Sequence, residues 1–442
     1  MSSARAPSAA RSHLFRALRS RNYRLYFFGQ GLSLVGTWMT YVATGWLVYR
    51  ITNSAVLLGV VGFAGQIPAF LLAPFGGVLV DRWNKHRVLV ATQVLAMLQS
   101  LALAILTLTG RITVHEIIAL CVLQGVINGF DLPARQAFVA EMLEGPEDLG
   151  NAIALNSSIF NGARLIGPSI AGLLIAGTGE GICFLVDGLS YLAVIWAFAM
   201  MRLPKTHAPP KPRPLLRELR EGLAYAYRFV PIRAILALTA FISLVGIPYT
   251  VLMPVFAREI LHGGAHTLGF LMGASGLGAL IGALYLAARK TVIGLGRLIT
   301  FATVLFGAGL IAFGFSRWWW LSLGLMLLVG FGMLVQMAAS NTIIQTIVDE
   351  NKRGRVMSFY AMAFMGMAPF GSLLAGHLAS RIGAPRTLLI GGVGCLLGAL
   401  VFARQLPRLR RIIRPIYAQK GILPQVATGI QAATNLLVPP EE

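Results

Sequence analysis

The chain has 442 residues, of which 56% are hydrophobic and 12% charged, with a mean hydropathy of +0.73. A soluble domain carries about 25% charged residues, so an ordinary water-soluble globule is excluded and a polytopic membrane protein indicated. The net charge of +21 does not mark a nucleic-acid binder, because the cations lie between apolar runs and not on one soluble face. Cys121, Cys183 and Cys395 sit inside apolar runs without CxxC spacing, which points away from a disulfide framework, a metal site or any other cofactor.

In chain order, residues 1–22 hold arginines at 5, 11, 16, 19 and 21 with no short apolar region and cleavage site, and read as a cytoplasmic leader. A membrane-spanning helix needs about 20 largely apolar residues. Such runs lie near 25–50, 55–80, 88–109, 113–132, 150–176 and 181–202, then near 234–256, 267–288, 296–315, 318–343, 356–380 and 386–405. With the first run starting inside, thirty Lys/Arg fall on the side of the termini, six on the other side, and Arg164 within a run. The positive-inside rule then places both termini in the cytoplasm and makes twelve the span count. The expected organisation is an all-α membrane protein of two six-helix bundles, 23–202 and 230–405. The proline-rich linker 203–229 joins them, with Leu215–Tyr227 as an interfacial helix, and a basic tail covers 406–442. Gly150, Gly162 and Gly172 recur as Gly354, Gly366 and Gly376 at one offset, a trace of duplication between the halves.

Polar groups inside the spans locate a cavity. Gln30, Ser33, Thr37, Thr40 with Tyr41, and Thr44 step by three and four, so they share one helical face that must point at protein or water. Gln124, Asn128 and Asp131 repeat the pattern in the fourth span, Asn161 and Arg164 in the fifth, and Gln336, Ser340 and Asn341 in the tenth. Gln66 is open to either packing or lining. Phe70, Trp38, Phe241, Tyr249 and Phe364 are expected to supply an apolar, aromatic remainder. A mostly apolar chamber of this kind suits a bulky amphipathic solute. An arginine at the bilayer centre costs about 2.5 kcal/mol or more if unpaired, so Arg164 is expected to pair with Asp187 or to face a hydrated cavity, and both are candidates for charge coupling. Glu116, beside His115, is expected to sit in solvent.

Two motifs carry a family resemblance. The stretch from Gly76 and Gly77 through Asp81, Arg82 and Arg87 reads G-G-x-L-x-D-R-x-x-x-x-R. Its small residues are expected to bring the second and third spans close at the join. It resembles the loop between helices 2 and 3 of the major facilitator superfamily. Gly167-Pro168 bends a helix, and with Gly172 resembles the G-P-x-x-G-G antiporter motif of proton-driven drug exporters, Ala171 replacing one glycine. Pro133–Ala137, Asn151–Asn156 and Arg353–Ser358 resemble the branch holding the enterobactin exporter and related drug effluxers. The resemblance implies that Asp81 caps the eleventh span near Val356 to Ser358, and that Asp131 pairs with Arg82 or Arg87, locking the cytoplasmic side. One departure is Cys121, ahead of Gln124-Gly125, where many proton-coupled relatives carry an arginine. A second is the Gly282–Lys290 counterpart of the gating loop, which lacks an acid.

The function expected is a secondary active transporter of the bacterial cytoplasmic membrane. It would be a proton-driven, alternating-access exporter of a drug-like or siderophore-like molecule, monomeric, without cofactor or nucleic-acid partner. A lipid mover or importer of the same fold, and a non-transporting membrane sensor, are the rival readings. An enzyme is not expected: His377 is the one histidine within a span, and it has no acid at helical spacing.

Overall fold

A computed structural model describes residues 15–202, 225–289 and 291–420, with side chains at all of them except 73, 74, 77, 78, 81, 146 and 351. The first six long helices are Arg21–Thr52 (α1), Ala55–Arg82 (α2), Lys85–Leu108 (α3), Val114–Phe138 (α4), Leu149–Thr178 (α5) and Glu180–Ala199 (α6). After the linker come α7, running over Val230–Ile260 with a closing π-turn at Phe256–Ile260, then Ala265–Ala287 (α8) and Leu295–Phe315 (α9). Trp319–Ile347 (α10), Arg353–Ile382 (α11) and Ala384–Gln419 (α12) complete the chain. The leader to residue 14, the linker 203–224 with most of the expected interfacial helix, and the tail from 421 lie outside the described residues.

Local chemistry starts these helices where the apolar runs begin. The Ser54 hydroxyl accepts from the Leu57 amide (3.3 Å), the Asn84 side chain accepts from the Arg87 amide (3.1 Å), and Glu116 accepts from the Thr113 amide (2.6 Å). Each satisfies a helix-end group that lipid could not. Eleven of the helices are long and apolar enough to cross a membrane among the described residues. The twelfth, α1, has the length but carries the polar stripe and flanking arginines.

The turns restate the duplication. Gly179 joins α5 to α6 at φ +86°, and Gly383 joins α11 to α12 at φ +87°. The two stand at the same offset as the three glycine pairs seen in the sequence, and both adopt backbone that disfavours a side chain. Pseudo-symmetry also governs how the halves meet, α2 packing along α11 and α5 along α8. A Cβ on Gly59 would lie 2.6 Å from the Ser372 carbonyl and one on Gly376 3.0 Å from the Gly59 Cα. A Cβ on Gly172 would lie 3.0 Å from the Gly269 Cα. These are two backbone-to-backbone crossings with no room for a side chain, the packing device of membrane interiors. Both sit toward the helix ends opposite the basic ones, Gly59 and Gly269 early in α2 and α8, Gly172 and Gly376 late in α5 and α11.

Two expectations change. The second and third spans are joined by a short turn, yet α2 packs on α4 and α11 and barely touches α3. Gly76 accordingly abuts α4, where a Cβ would run into the Gly129 carbonyl. A tight turn fixes where a chain re-enters the bundle, not which neighbour a helix buries against. The helix of the last span also does not end near 405: α12 continues to Gln419 and buries Leu409 and Tyr417.

Candidate functional site: a polar-walled central chamber

Between the halves lies a chamber of about 260 Å³. Thr37, Thr40, Tyr41 and Thr44 of α1 form one wall, the later part of the predicted stripe. Gln66 of α2, Gln99 of α3 and Gln124, Asn128 and Cys121 of α4 form the next, with Asp187 and Tyr191 from α6. The second half contributes Thr250, Val251 and Pro254 from α7, and Leu268 and Met272 from α8. Helical spacing explains the grouping: Asp187 and Tyr191, like Gln124 and Asn128, are one turn apart and share a face.

Asp187 is the charged group of this wall. It is 2% exposed, and its Oδ2 accepts hydrogen bonds from Thr40 Oγ1 (2.7 Å) and Ser100 Oγ (2.8 Å). Its Oδ1 has no partner among the described residues. That oxygen faces α1, where a Cβ on Gly36 would come within 2.6 Å. Around it, Tyr191 Oη lies 3.4 Å from Thr37 Oγ1, Tyr41 Oη donates to Thr250 Oγ1 across the halves (3.3 Å), and Gln124 Nε2 donates to Asn128 (3.2 Å).

Arg164 does not pair with Asp187. Its guanidinium lies over the Trp38 ring (5.8 Å to the centroid) and its Nη2 is 3.9 Å from Met333 Sδ in α10. The reason is the packing order: α5 turns this face toward α1 and the second half, whereas Asp187 looks from α6 toward α1 and α3. Cation–π contact and thioether replace the expected carboxylate as its surroundings. Asp131 does not pair with Arg82 or Arg87 either. It is buried and accepts from Thr92 Oγ1 (2.8 Å), from Gln93 Nε2 (2.7 Å) and from Arg135, one turn along α4. Arg82 and Arg87 are exposed, and Lys85 pairs with Glu141 at 2.5 Å. The Asp81 side chain, and with it the expected cap of the eleventh span, lies outside the described side chains, as does the packing of Gly77.

The remaining predicted lining residues fall elsewhere. Gln30 and Ser33 are buried (3% and 1% exposed) between α1 and its neighbours, nearer the basic end. Asn161 donates to the Ser157 carbonyl of its own helix (2.8 Å). Gln336 donates to Ser340 (3.4 Å) and Asn341 accepts from Gln345 (2.6 Å), all within α10. Nor do the expected aromatics line the wall. Phe70 packs at Gly366, and Tyr249 is buried with its hydroxyl 2.8 Å from Ser275 Oγ. Gly167 abuts α1 at Trp38 and Val35, and Pro168 sits inside an unbroken α5. Glu116, expected in solvent, accepts from the Thr113 amide in an exposed cap at the start of α4. The chamber also recruits Gln99, Tyr191 and Thr250, which the polar stripes do not include. The turn-spacing from Asp187 marks Tyr191, and a lone amide in an apolar run marks Gln99.

Far from the basic end the halves are tied by side chains. Tyr49 of α1 donates to Glu259 of α7, and the Arg258 guanidinium lies 6.0 Å from the Tyr49 ring centroid. Beside them, Arg50 grips Glu180 with two bonds, 2.7 and 3.1 Å, the fork geometry that makes arginine–carboxylate pairs strong.

Comparison with known proteins agrees with this architecture. The profile of the transmembrane secretion effectors, MFS_3, matches residues 12–414. The staphyloferrin A transporter of Staphylococcus aureus is 28% identical over 381 residues, covering 85% of this chain and 94% of its own. The multidrug efflux pump Tap of Mycolicibacterium fortuitum is 28% identical over 386 residues, 85% of this chain and 93% of that one. Among solved structures, the POT family transporter PepTSo superposes with a TM-score of 0.72 at 13% identity, over 89% of this chain and 99% of that one, a likeness of fold. The chain is therefore a multi-pass membrane transporter and not an enzyme, and it belongs to the transmembrane secretion effectors of the major facilitator superfamily.

Proposed function

We propose that the chain exports an amphipathic drug-like or siderophore-like molecule across the bacterial cytoplasmic membrane in exchange for protons, as a monomer with both termini in the cytoplasm. The observation that carries this reading is Asp187: a carboxylate in the wall of the central chamber, held by two hydroxyls and with no cation at ion-pair distance among the described residues. A carboxyl group can take up and release a proton without a cofactor, and one set in the solute's own chamber lets the two compete or alternate there. The orientation rests on the thirty Lys/Arg gathered at the terminal side. Export and solute class rest on relatives that include a multidrug efflux pump, a macrolide efflux protein of Streptococcus pyogenes (22% identical over 392 residues) and a siderophore transporter.

The contacts support alternating access as the mode of transport. The glycine crossings and the Tyr49–Glu259 bond hold the far end shut. Rocking of the halves about the chamber would release that end and enlarge a space that now measures about 260 Å³. The test is efflux of dyes, macrolides and siderophores from cells lacking other pumps, with and without an uncoupler, for the native chain and Asp187→Asn. Uncoupler-sensitive efflux that disappears in Asp187→Asn is the expected result. Full proton-driven activity in the variant removes Asp187 as carrier, and no efflux of any solute by the native chain removes export itself.

A further inference from the structure

A second cavity, of about 410 Å³, opens at the basic end of the second half, away from the chamber. Its floor is apolar, built from Ile235 of α7, Ile343 of α10, and Phe402 and Leu406 of α12. Its rim carries Arg297 in the first turn of α9, and Arg410 and Arg414 on the part of α12 that runs past the bilayer-length segment. All three arginines are exposed, and none has a carboxylate at ion-pair distance among the described residues. Between them the helix start at Leu295 follows Gly294, which brings no capping side chain. An arginine trio beside an uncapped helix N-terminus is a place for an anionic oxygen group.

The groove is built and not a chance gap beside a loose tail. Lys420 donates from Nζ to the Thr346 carbonyl (2.7 Å) and lies 3.4 Å from the Val348 carbonyl, pinning the end of α12 onto the last turn of α10. Leu409 and Tyr417 are buried by the same docking. The α12 extension therefore stands as a fixed wall, with its apolar face inward and Arg410 and Arg414 at the lip.

We infer that this groove binds an anionic phospholipid of the surrounding leaflet, its acyl chain on the Ile235–Phe402 floor and its phosphate held by Arg297, Arg410 and Arg414. Charge complementarity selects the headgroup, and continuity of the apolar floor with the span region of α12 selects a lipid over a free anion. Only the choice of leaflet rests on the orientation proposed above. The binding itself is read in detergent, so its failure and the failure of the transport reading are separable.

The experiment is native mass spectrometry of the full-length chain in mild detergent, titrated separately with phosphatidylglycerol, phosphatidylcholine and inorganic phosphate. Each sample is first shown to elute as a single folded species. Arg410→Ala/Arg414→Ala is compared with Arg408→Ala/Arg411→Ala, which removes the same charge from the same helix but from residues outside the groove. The native chain and the 408/411 pair should retain phosphatidylglycerol over phosphatidylcholine. The 410/414 pair should lose affinity by roughly tenfold or more, at the contribution expected of basic residues near an anionic headgroup. Equal loss in both pairs would mean diffuse surface attraction and overturn the site. Inorganic phosphate binding as tightly as the lipid, or no preference between the two lipids, overturns it as well. So does a disulfide formed in high yield between cysteines placed at Leu406 and within 203–224 in a chain that retains no lipid, since the linker would then own the groove.

Discussion

The two halves correspond in how they meet and differ in chemistry. Their meeting points correspond: Gly59 against Gly376 and Gly172 against Gly269 cross with the same intimacy, and Gly179 and Gly383 turn the chain with the same positive φ. The chamber walls do not correspond. The first half presents Thr37, Thr40, Gln66, Gln124, Asn128 and Asp187 to the space, whereas the second half presents Thr250 among apolar side chains. Polar residues of the second half are spent on packing: Ser275 on the Tyr249 hydroxyl, Ser340 on Gln336, Tyr360 on the Met337 carbonyl. Duplication thus preserved close helix crossings at two related places. It left the polar and charged groups of the chamber wall almost wholly to one copy.

The sharpest way to break this comparison is at the crossings. Gly269→Val would drive a Cβ into the Pro168 carbonyl, and Gly59→Val would place one 2.6 Å from the Ser372 carbonyl. Neither neighbour is a side-chain tip that can swing away, so both substitutions should hold the far end apart and abolish efflux. Cysteine accessibility at Tyr49 should rise in both. If Gly59→Val were silent while Gly269→Val was not, the crossings would be alike in shape only.

Next in size is the ion pair inside the first half. Arg135→Met leaves Asp131 buried with Thr92 and Gln93 alone, and removing one partner of a buried pair costs about 3 kcal/mol or more. Thermal unfolding in detergent should shift down clearly, and Asp131→Asn placed in the same chain should recover most of the loss. No shift in the single variant would mean that Asp131 has another counter-charge, as a gate pairing with Arg82 or Arg87 requires.

Much of this architecture is legible in the amino-acid sequence. Apolar length marks the spans, because a bilayer demands that every backbone group be satisfied inside a helix, and the glycine offset marks the duplication. The α1 stripe is legible as a face but not as a depth. Three- and four-residue steps carry Gln30, Ser33, Thr37 and Thr44 on one side, yet only the part from Thr37 onward reaches the chamber, since Gln30 and Ser33 pass against neighbouring helices first. Partner choice is not legible at all. Arg164 and Asp187 are opposite charges at similar depth on consecutive spans, and what separates them is that α6 lies beside α3 and α1 while α5 lies beside α8. Hydropathy says nothing about helix order around a bundle. The same limit misplaces Gln336 and Asn341, which are polar, mid-span and turned to their own helix.

Smaller effects sharpen the asymmetry of the walls. Gln124→Ala removes a chamber group and its bond to Asn128, and should change which solutes are exported while leaving unfolding nearly unmoved. Gln336→Ala removes a buried amide bonded to Ser340, and should cost about 1 kcal/mol of stability with solute preference intact. Competition assays with a panel of solutes, run beside thermal unfolding, separate the two outcomes. The reverse pattern would move the recognition wall to the second half.

The least effect is expected where the second half does reach the chamber with a polar group. Thr250 accepts from the Tyr41 hydroxyl across the halves at 3.3 Å. Thr250→Val keeps the shape and removes the long bond from Tyr41 together with the Thr250 hydroxyl's own bond to the Ile247 carbonyl (3.2 Å). A neutral bond is worth about 1 kcal/mol when well made, so efflux at low solute concentration should fall by less than about fivefold, with the uncoupler response unchanged. Tyr41→Phe should match it, because either change deletes the same bond, and the double variant should be no worse than the singles. A much larger loss in Tyr41→Phe alone would place the Tyr41 hydroxyl on the solute instead of on Thr250, and would extend the polar wall of the first half by one more residue.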